Sequence, residues 1–285
     1  MNDVIAIIVT YNSDLIRLNA TLESLSQQAH IVVCDNSEDA QSVASIKALA
    51  KRLNIYYLPM PSNVGVAAAQ NAGILFSKQF SPKYFLLMDD DSIPAPDLIS
   101  SLLYAYHKLS SRGVSVGSVG ARAFDPNGID VSTTKASNNE FDKCVNMMNS
   151  GALIPSVAID DVGLMDESLF IDCVDFEWGW RAQQKKYELY LVNAAVIEHL
   201  LGDKSFQFLG IRKGVPSPIR HYYQFRNILN MLFKNYVPIR WRIKQFFFLF
   251  MKLLFFSVFV KPRLSRLTFM LRGVRDWALR KKGRI

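Results

Sequence analysis

Residues Val4-Ile5-Ala6-Ile7-Ile8-Val9 are apolar without a break. A strand with one wet face alternates polar and apolar residues. An unbroken run instead predicts a strand covered on both faces, as in a parallel sheet flanked by helices. Two more such runs follow, Ile31-Val32-Val33-Cys34 and Tyr84-Phe85-Leu86-Leu87-Met88. Between them the spacing becomes helical. Leu15, Leu18, Leu22 and Leu25 share a face after an Asn12-Ser13-Asp14 turn that can cap a helix. A second helix is expected over about 42–52, then a short strand at Ile55–Leu58, then a helix from about Val66 after the Ser62-Asn63-Val64-Gly65 turn. This alternation predicts an α/β protein with a doubly wound layer. Such sheets bind ligands beyond the carboxyl ends of their strands, where the polar clusters of this chain fall.

After residue 113 the pattern loosens. Strands are expected near Ser115–Ala121 and Leu189–Val196, with a loop-rich insert from Phe124 to Asn146 and a helix over Phe176–Lys185. The last 70 or so residues differ in kind. Ile219–Lys234 reads as helical and Trp241–Val260 is very apolar. From Lys234 onward, fourteen Lys or Arg face Asp276 alone, a net +13; the whole chain is +8, so the preceding residues carry −5. The natural division is residues 1–210 and 211–285. Basic charge confined to the second part calls for an anionic partner. Nucleic acid is excluded as that partner, because the cations are interleaved with Phe/Leu runs rather than with isolated stacking aromatics.

Cys34, Cys144 and Cys173 are odd in number, far apart and not in a metal-binding spacing, which points to a reducing, cytoplasmic setting. The first apolar run is too short for a signal peptide. Phe246–Val260 is 15 residues interrupted by Lys252, and at about 1.5 Å per residue it reaches about 22 Å, short of the ~30 Å hydrocarbon core. An interfacial helix on anionic lipid fits that length. So does a helix packed against the domain, or against a second copy of the chain in a homodimer.

Asp89-Asp90-Asp91 ends the third run. Three adjacent carboxylates repel one another, and a divalent cation such as manganese or magnesium is the simplest compensation. A solvated turn is the other reading. A nucleotidyltransferase would need a Gly-rich basic loop after the first strand, and Thr10-Tyr11-Asn12-Ser13 has neither feature.

Six segments in order, VIAIIVTYNS, VVCDNSE, SNVGVAAAQNAG, LLMDDDS, MNSGALIP with VGLMDESLFIDCVDFEWGWRAQQKKY, and VIEHLLGD, resemble family 2 glycosyltransferases. The resemblance covers about the first 200 residues. It implies a GT-A fold, Rossmann-like, carrying here a C-terminal helical, basic and apolar extension. It also implies inverting, metal-dependent sugar transfer from a nucleotide sugar. Thr10, Tyr11, Asn12 and Asp35 would hold base and ribose. Asn63, Gly65 and Asn71 would frame the donor pocket, and Asp89 and Asp90 would face the donor. Asp91, His199 and Asp89 would bind the metal. Asp175 falls on the family's base, with Val174 where the family usually has Glu. Glu177 follows as a secondary acid on the acceptor side or as an ion-pair partner of Arg181.

Asn149, Ser150 and Gly151 would lie on the acceptor side. Trp178 or Trp180, two apart and unable to face the same way, would stack on sugar or sit in the core. The stretch Arg220-His221-Tyr222-Tyr223 with Arg226-Asn227 offers a diphosphate contact, assigned to Arg226, or a helix with outward arginines. The Phe-Ile-Asp-x-Val-Asp-x-Glu-Trp string is most similar to bacterial rhamnosyltransferases, which implies dTDP-L-rhamnose as donor. A polyprenyl-diphosphate-linked glycan would then be the acceptor, at the cytoplasmic face of the inner membrane. UDP-galactofuranose or another UDP-hexose is the alternative donor. A non-catalytic, membrane-associated glycan-binding protein is the alternative from another class.

Overall fold

The computed structural model describes residues 3–200, 205–208 and 211–285. The first half alternates as the sequence predicts. β1 (Val4–Thr10), α1 (Leu15–Ser26), β2 (His30–Asp35), α2 (Ala40–Arg52), β3 (Tyr56–Pro59), α3 (Val66–Ser77) and β4 (Tyr84–Asp89) follow in turn. The Asp14 carboxylate caps α1 by accepting from the Ile16 and Arg17 amides. β3, β2, β1 and β4 lie side by side, all parallel. The strand order reverses at β1, which opens a crevice at the carboxyl ends of β1 and β4.

The unbroken apolar runs serve two cores. Ala6, Ile8, Val33, Leu86 and Met88 face α1, with Leu18, Leu22 and Leu25. Ile5, Ile7, Val32, Phe85 and Leu87 face the opposite layer. Alternate residues of one strand point to opposite faces, so burying both faces leaves no place for a polar side chain. On that second side α3 lies very close to the sheet. A Cβ at Gly73 would stand 2.6 Å from Ile7 Cγ2 and 2.7 Å from Cys34 Sγ.

Beyond β4 the regular alternation ends, as the looser pattern after residue 113 predicts. The chain adds β5 (Ile93–Pro94), α4 (Leu98–Ser110), β6 (Val116–Phe124), β7 (Phe141–Cys144), β8 (Ala152–Pro155), α5 (Ser156–Val162), α6 (Val174–Gln184) and β9 (Glu188–Glu198). The sheet continues β4-β8-β6-β9-β5, with β7 on β9. β8 runs antiparallel to both β4 and β6. No helix separates β6 from β8, so no crossover forces them parallel. β10 (Ser205–Phe208) and β11 (Ile211–Gly214) form a separate antiparallel pair.

Three helices follow, α7 (Pro218–Leu232), α8 (Ile239–Val258) and α9 (Arg263–Ala278). α7 and α9 cross tightly at Gly273, where a Cβ would sit 2.5 Å from the Tyr222 carbonyl oxygen. α8 is apolar on two sides. Leu249, Leu253 and Phe256 pack with Phe225, Ile228 and Met270. Ile243, Phe247, Phe250, Leu254 and Val258 recur at helical spacing on another face and stay exposed. Among the described residues no helix is long and apolar enough to cross a membrane.

Gly273→Ala should therefore force α9 off α7. A loss of about 1–3 kcal/mol is expected, read as a melting temperature several degrees lower by calorimetry. An unchanged melting temperature would contradict the close crossing.

Candidate active site

The crevice is built from strand ends. At the end of β1 the Thr10 hydroxyl donates to Asp35 at the end of β2 (2.9 Å). Asp35 is buried and its carboxylate also accepts from the Ser37 amide and the Tyr57 hydroxyl. Asn12 adopts φ +49° and its amide donates to Ser37 Oγ (2.8 Å), so the two loops are zipped together. Tyr11 stands outward, half exposed. Asn63 accepts from the Gly65 amide (3.0 Å) and shapes the next loop.

Gly65 has φ +88°, and a Cβ there would lie 2.5 Å from the Phe170 ring. Phe170 leaves no room for a side chain there, and the positive φ favours glycine. Asn71 is reassigned. It is buried, with its amide bonded to Met165 and Glu167, so it fixes the loop before α6 and does not face the pocket.

β4 delivers the acidic triplet. One ligand atom each from Asp89, Asp91 and His199 lies within 4.8 Å of the others. His199 is far away in sequence. β9 brings it there, because Ile93 of β5 pairs with Glu198. Ser92 Oγ holds His199 Nδ1 at 2.8 Å. Arg17 ties the same corner together, donating to the Asp91 carbonyl (2.9 Å) and to Glu198 (3.0 Å). Asp90 turns away from this group and is hydrogen-bonded to the Ser13 hydroxyl.

Burial, and then the charges of Asp91, Asp90 and Asp175, push the Asp89 carboxyl up to about 7. Burial raises Asp90 to about 6 against the Ser13 bond. Crowded carboxylates beside an imidazole fit a divalent cation that accepts both oxygen and nitrogen ligands. Of the VIEHLLGD segment, residues 201–203 lie outside the described residues.

Asp175 lies in the first turn of α6. It follows a turn with three residues at positive φ: Phe170, Asp172 and Cys173. Burial, and then the Asp172 charge, push the Asp175 carboxyl up to about 7. Its charge is felt at Asp89, and Arg220 acts on Asp89, Asp172 and Asp175 alike. Asp89 and Asp175 are thus near enough to feel each other's charge, and Arg220, paired to Asp172 (3.0 Å), lies near enough to act on both.

Arg220, not Arg226, is the arginine at the cleft. Arg226 is buried and donates to the carbonyls of Ser168, Leu169 and Gly283. Its neighbour Asn227 donates to the carbonyls of Leu169, Ile171 and Asp172. This pair clamps the positive-φ turn that carries Asp172 and leads to Asp175. The expected diphosphate contact of Arg226 is therefore corrected to a structural one. The Arg220–Asp172 ion pair beside Asp175 is not singled out by the sequence motifs.

The acceptor-side readings of Glu177 and Trp178 are corrected as well. Glu177 is 1% exposed and its carboxylate is filled by Arg181 (2.7 and 2.9 Å) and the Tyr236 hydroxyl (2.7 Å). Trp178 is buried, with its indole N–H on the Gly163 carbonyl (2.9 Å). Ser150 accepts from the Asp89 amide (3.2 Å) and Gly151, at φ +77°, bonds to the Leu87 carbonyl, so both prop the end of β4. Asn149 beside them is partly exposed and bonded to Gln70 (3.2 Å).

A cation at the Asp89, Asp91 and His199 cluster would relieve the repulsion. Manganese is expected to raise the melting temperature at pH 7.5, and Asp91→Ala to abolish the rise. An equal shift in wild type and variant would place the cation elsewhere.

Three comparisons bear on this geometry. The family model for glycosyl transferase family 2 matches residues 5–162, more than half of the chain. The chain is 29% identical over 258 residues to the dTDP-rhamnosyl transferase RfbF of Shigella flexneri, covering 87% of this chain and 86% of that protein. Among solved structures, S. aureus TarS 1–349 superposes with a TM-score of 0.59 at 16% identity, covering 96% of this chain and 80% of that one. The chain spans about half (49%) of the longer S. aureus TarS structure. The mannosyltransferase PcManGT of Pyrobaculum calidifontis, solved with GDP-Man and Mn2+, gives 0.56 at 12% identity, covering 97% and 75%. The strand order, the acidic end of β4 and the family match together give one conclusion: this chain has the GT-A fold and belongs to glycosyl transferase family 2.

Proposed function

We propose that this enzyme transfers L-rhamnose from dTDP-L-rhamnose to a glycan hydroxyl in one displacement that inverts the anomeric carbon. The observation that carries the reading is the Asp89, Asp91 and His199 cluster, with Asp175 near enough for its charge to raise the Asp89 carboxyl. The relation to RfbF supports the rhamnose donor. A UDP-hexose is the alternative donor, since among the described residues none at the site demands a 6-deoxy sugar.

Thr10, Tyr11, Asn12 and Asp35 line the nucleotide end, with Asn63 beside them. Asp89, Asp91 and His199 are the residues that would hold manganese or magnesium. Such an ion, when bound, supplies positive charge to the leaving diphosphate. Arg220 adds a fixed cation near the same carboxylates. Asn149 borders the acceptor side. Asp175 takes the acceptor hydroxyl proton as the new C–O bond forms and the bond from the anomeric carbon to the diphosphate oxygen breaks. A carboxylate held near pH 7 is a stronger base than an exposed one, which suits this step. A non-catalytic glycan-binding module would have no use for acids raised in this way.

Residues 1–210 form the catalytic part in this reading, and 211–285 both brace it and dock it. The exposed face of α8 and the cations Arg240, Lys244, Lys261 and Arg263 suit an anionic bilayer surface, where a polyprenyl-diphosphate-linked acceptor resides. The site of action is then the cytoplasmic face of the inner membrane.

Two measurements test this. Asp175→Asn should lower turnover about 10²–10⁴-fold and leave nucleotide affinity within a few-fold. The folded carboxyl sits near 7, above the ordinary value of about 3.9. Its stabilisation is full below about pH 4 and lost as pH rises through 7, so the Asn variant should melt no lower than wild type at pH 8. By the same shift, wild-type kcat/KM should fall below about pH 7. A rate flat down to pH 5 would remove Asp175 as the base. For the membrane, the full chain should sediment with vesicles containing anionic phospholipid, and Phe247→Glu with Phe250→Glu should abolish this. Concentration-dependent self-association without vesicle binding would assign the face to a dimer instead.

A further inference from the structure

The segment after α9 turns back toward the nucleotide end of the cleft. The Gly283 amide donates to the Ser168 carbonyl (3.0 Å), and Arg226 holds the Gly283 carbonyl (2.6 Å). The Ile285 amide donates to the Tyr223 hydroxyl (3.2 Å), and its side chain packs with Phe170, Tyr222 and Tyr223. These contacts fix Arg284 between the donor loops. Its guanidinium makes two bonds to Glu38, one at 2.8 Å, and Tyr11 lies within its electrostatic range. Glu38 directly follows Asp35-Asn36-Ser37 and also accepts from the Asn63 amide (3.4 Å). One ion pair therefore bridges to the loops after β2 and β3 and lies near Tyr11 in the loop after β1.

The rim formed by Tyr11, Asn12, Ser37, Glu38 and Asn63 has no cation of its own. A nucleoside diphosphate is a multiply charged anion, and the cleft it would enter is already acidic. Arg284 corrects that imbalance from a segment more than 240 residues away in sequence. We infer that Gly283–Ile285 is a strap completing the nucleotide pocket, with Glu38 positioning Arg284 as a binding residue for the nucleoside diphosphate.

The inference rests on the glycosyltransferase reading, and titration calorimetry separates the two. The full chain with manganese is titrated with dTDP and, in parallel, with UDP. Arg284→Ala should raise the dissociation constant of the preferred nucleotide about tenfold, the scale of one charge-assisted hydrogen bond. Arg284→Lys, which keeps the charge, should recover most of the loss. The increase should appear in the donor KM more than in kcat, and hydrogen exchange at 283–285 should slow when the nucleotide binds. Arg284 is half exposed, so an unchanged melting temperature will show that the Ala variant is folded. A folded Ala variant that binds within twofold of wild type overturns the strap. A wild-type chain that binds neither nucleotide overturns the functional reading beneath it.

Discussion

Repulsion among carboxylates governs this molecule. Asp89, Asp90 and Asp91 leave β4 side by side, and Asp175 faces them from α6. Burial raises three of the four well above the ordinary carboxylate range. Such an arrangement is unfavourable in isolation and persists only where surrounding structure over-determines it. The parallel half of the sheet does so on one wall: strands buried on both faces cannot shift to separate the charges. A cation for Asp89, Asp91 and His199, and a transferable proton for Asp175, are the two ways to relieve it, and they are the two things that glycosyl transfer requires.

The opposite wall is held from the last helices. Phe170, Asp172 and Cys173 all have positive φ, an unfavourable conformation for side-chain-bearing residues. Arg226 and Asn227 donate to carbonyls along residues 168–172 and fix that turn. α7 is in turn pinned by α9 at Gly273. The extension therefore helps hold the turn that leads to Asp175. Its α8 adds a second task, because one apolar face closes the helical core while another is left to a surface.

Long, strongly patterned elements were legible in the sequence. β1, β2, β4 and α1 follow from unbroken apolar runs and a leucine stripe, and the helix expected over Phe176–Lys185 appears as Val174–Gln184. β5, β7 and β8 were not legible, since two to four residues carry too little pattern and their pairing is non-local. In the site, motif order brings Asp89, Asp91, His199 and Asp175 into consideration, and the structure gathers the first three into one cluster. Sequence could not choose between Arg220 and Arg226. They lie six apart, on different faces of α7, and only the position of the 168–172 turn decides which face meets the cleft. Glu177 and Trp178 sit within the same motif as Asp175, but burial and filled hydrogen bonds remove them from the acceptor side. Arg284 was invisible, because nothing local links it to Glu38.

The central claim is that a cation seat and a base occupy opposite walls of one nucleotide cleft. Anomalous diffraction from crystals grown with manganese and dTDP tests it most directly. The account predicts one strong manganese peak within bonding distance of Asp91 and His199, touching the diphosphate, with the Asp175 carboxylate across open space and not coordinated. A peak ligated by Asp175, or one remote from His199 with the nucleotide elsewhere, would contradict it.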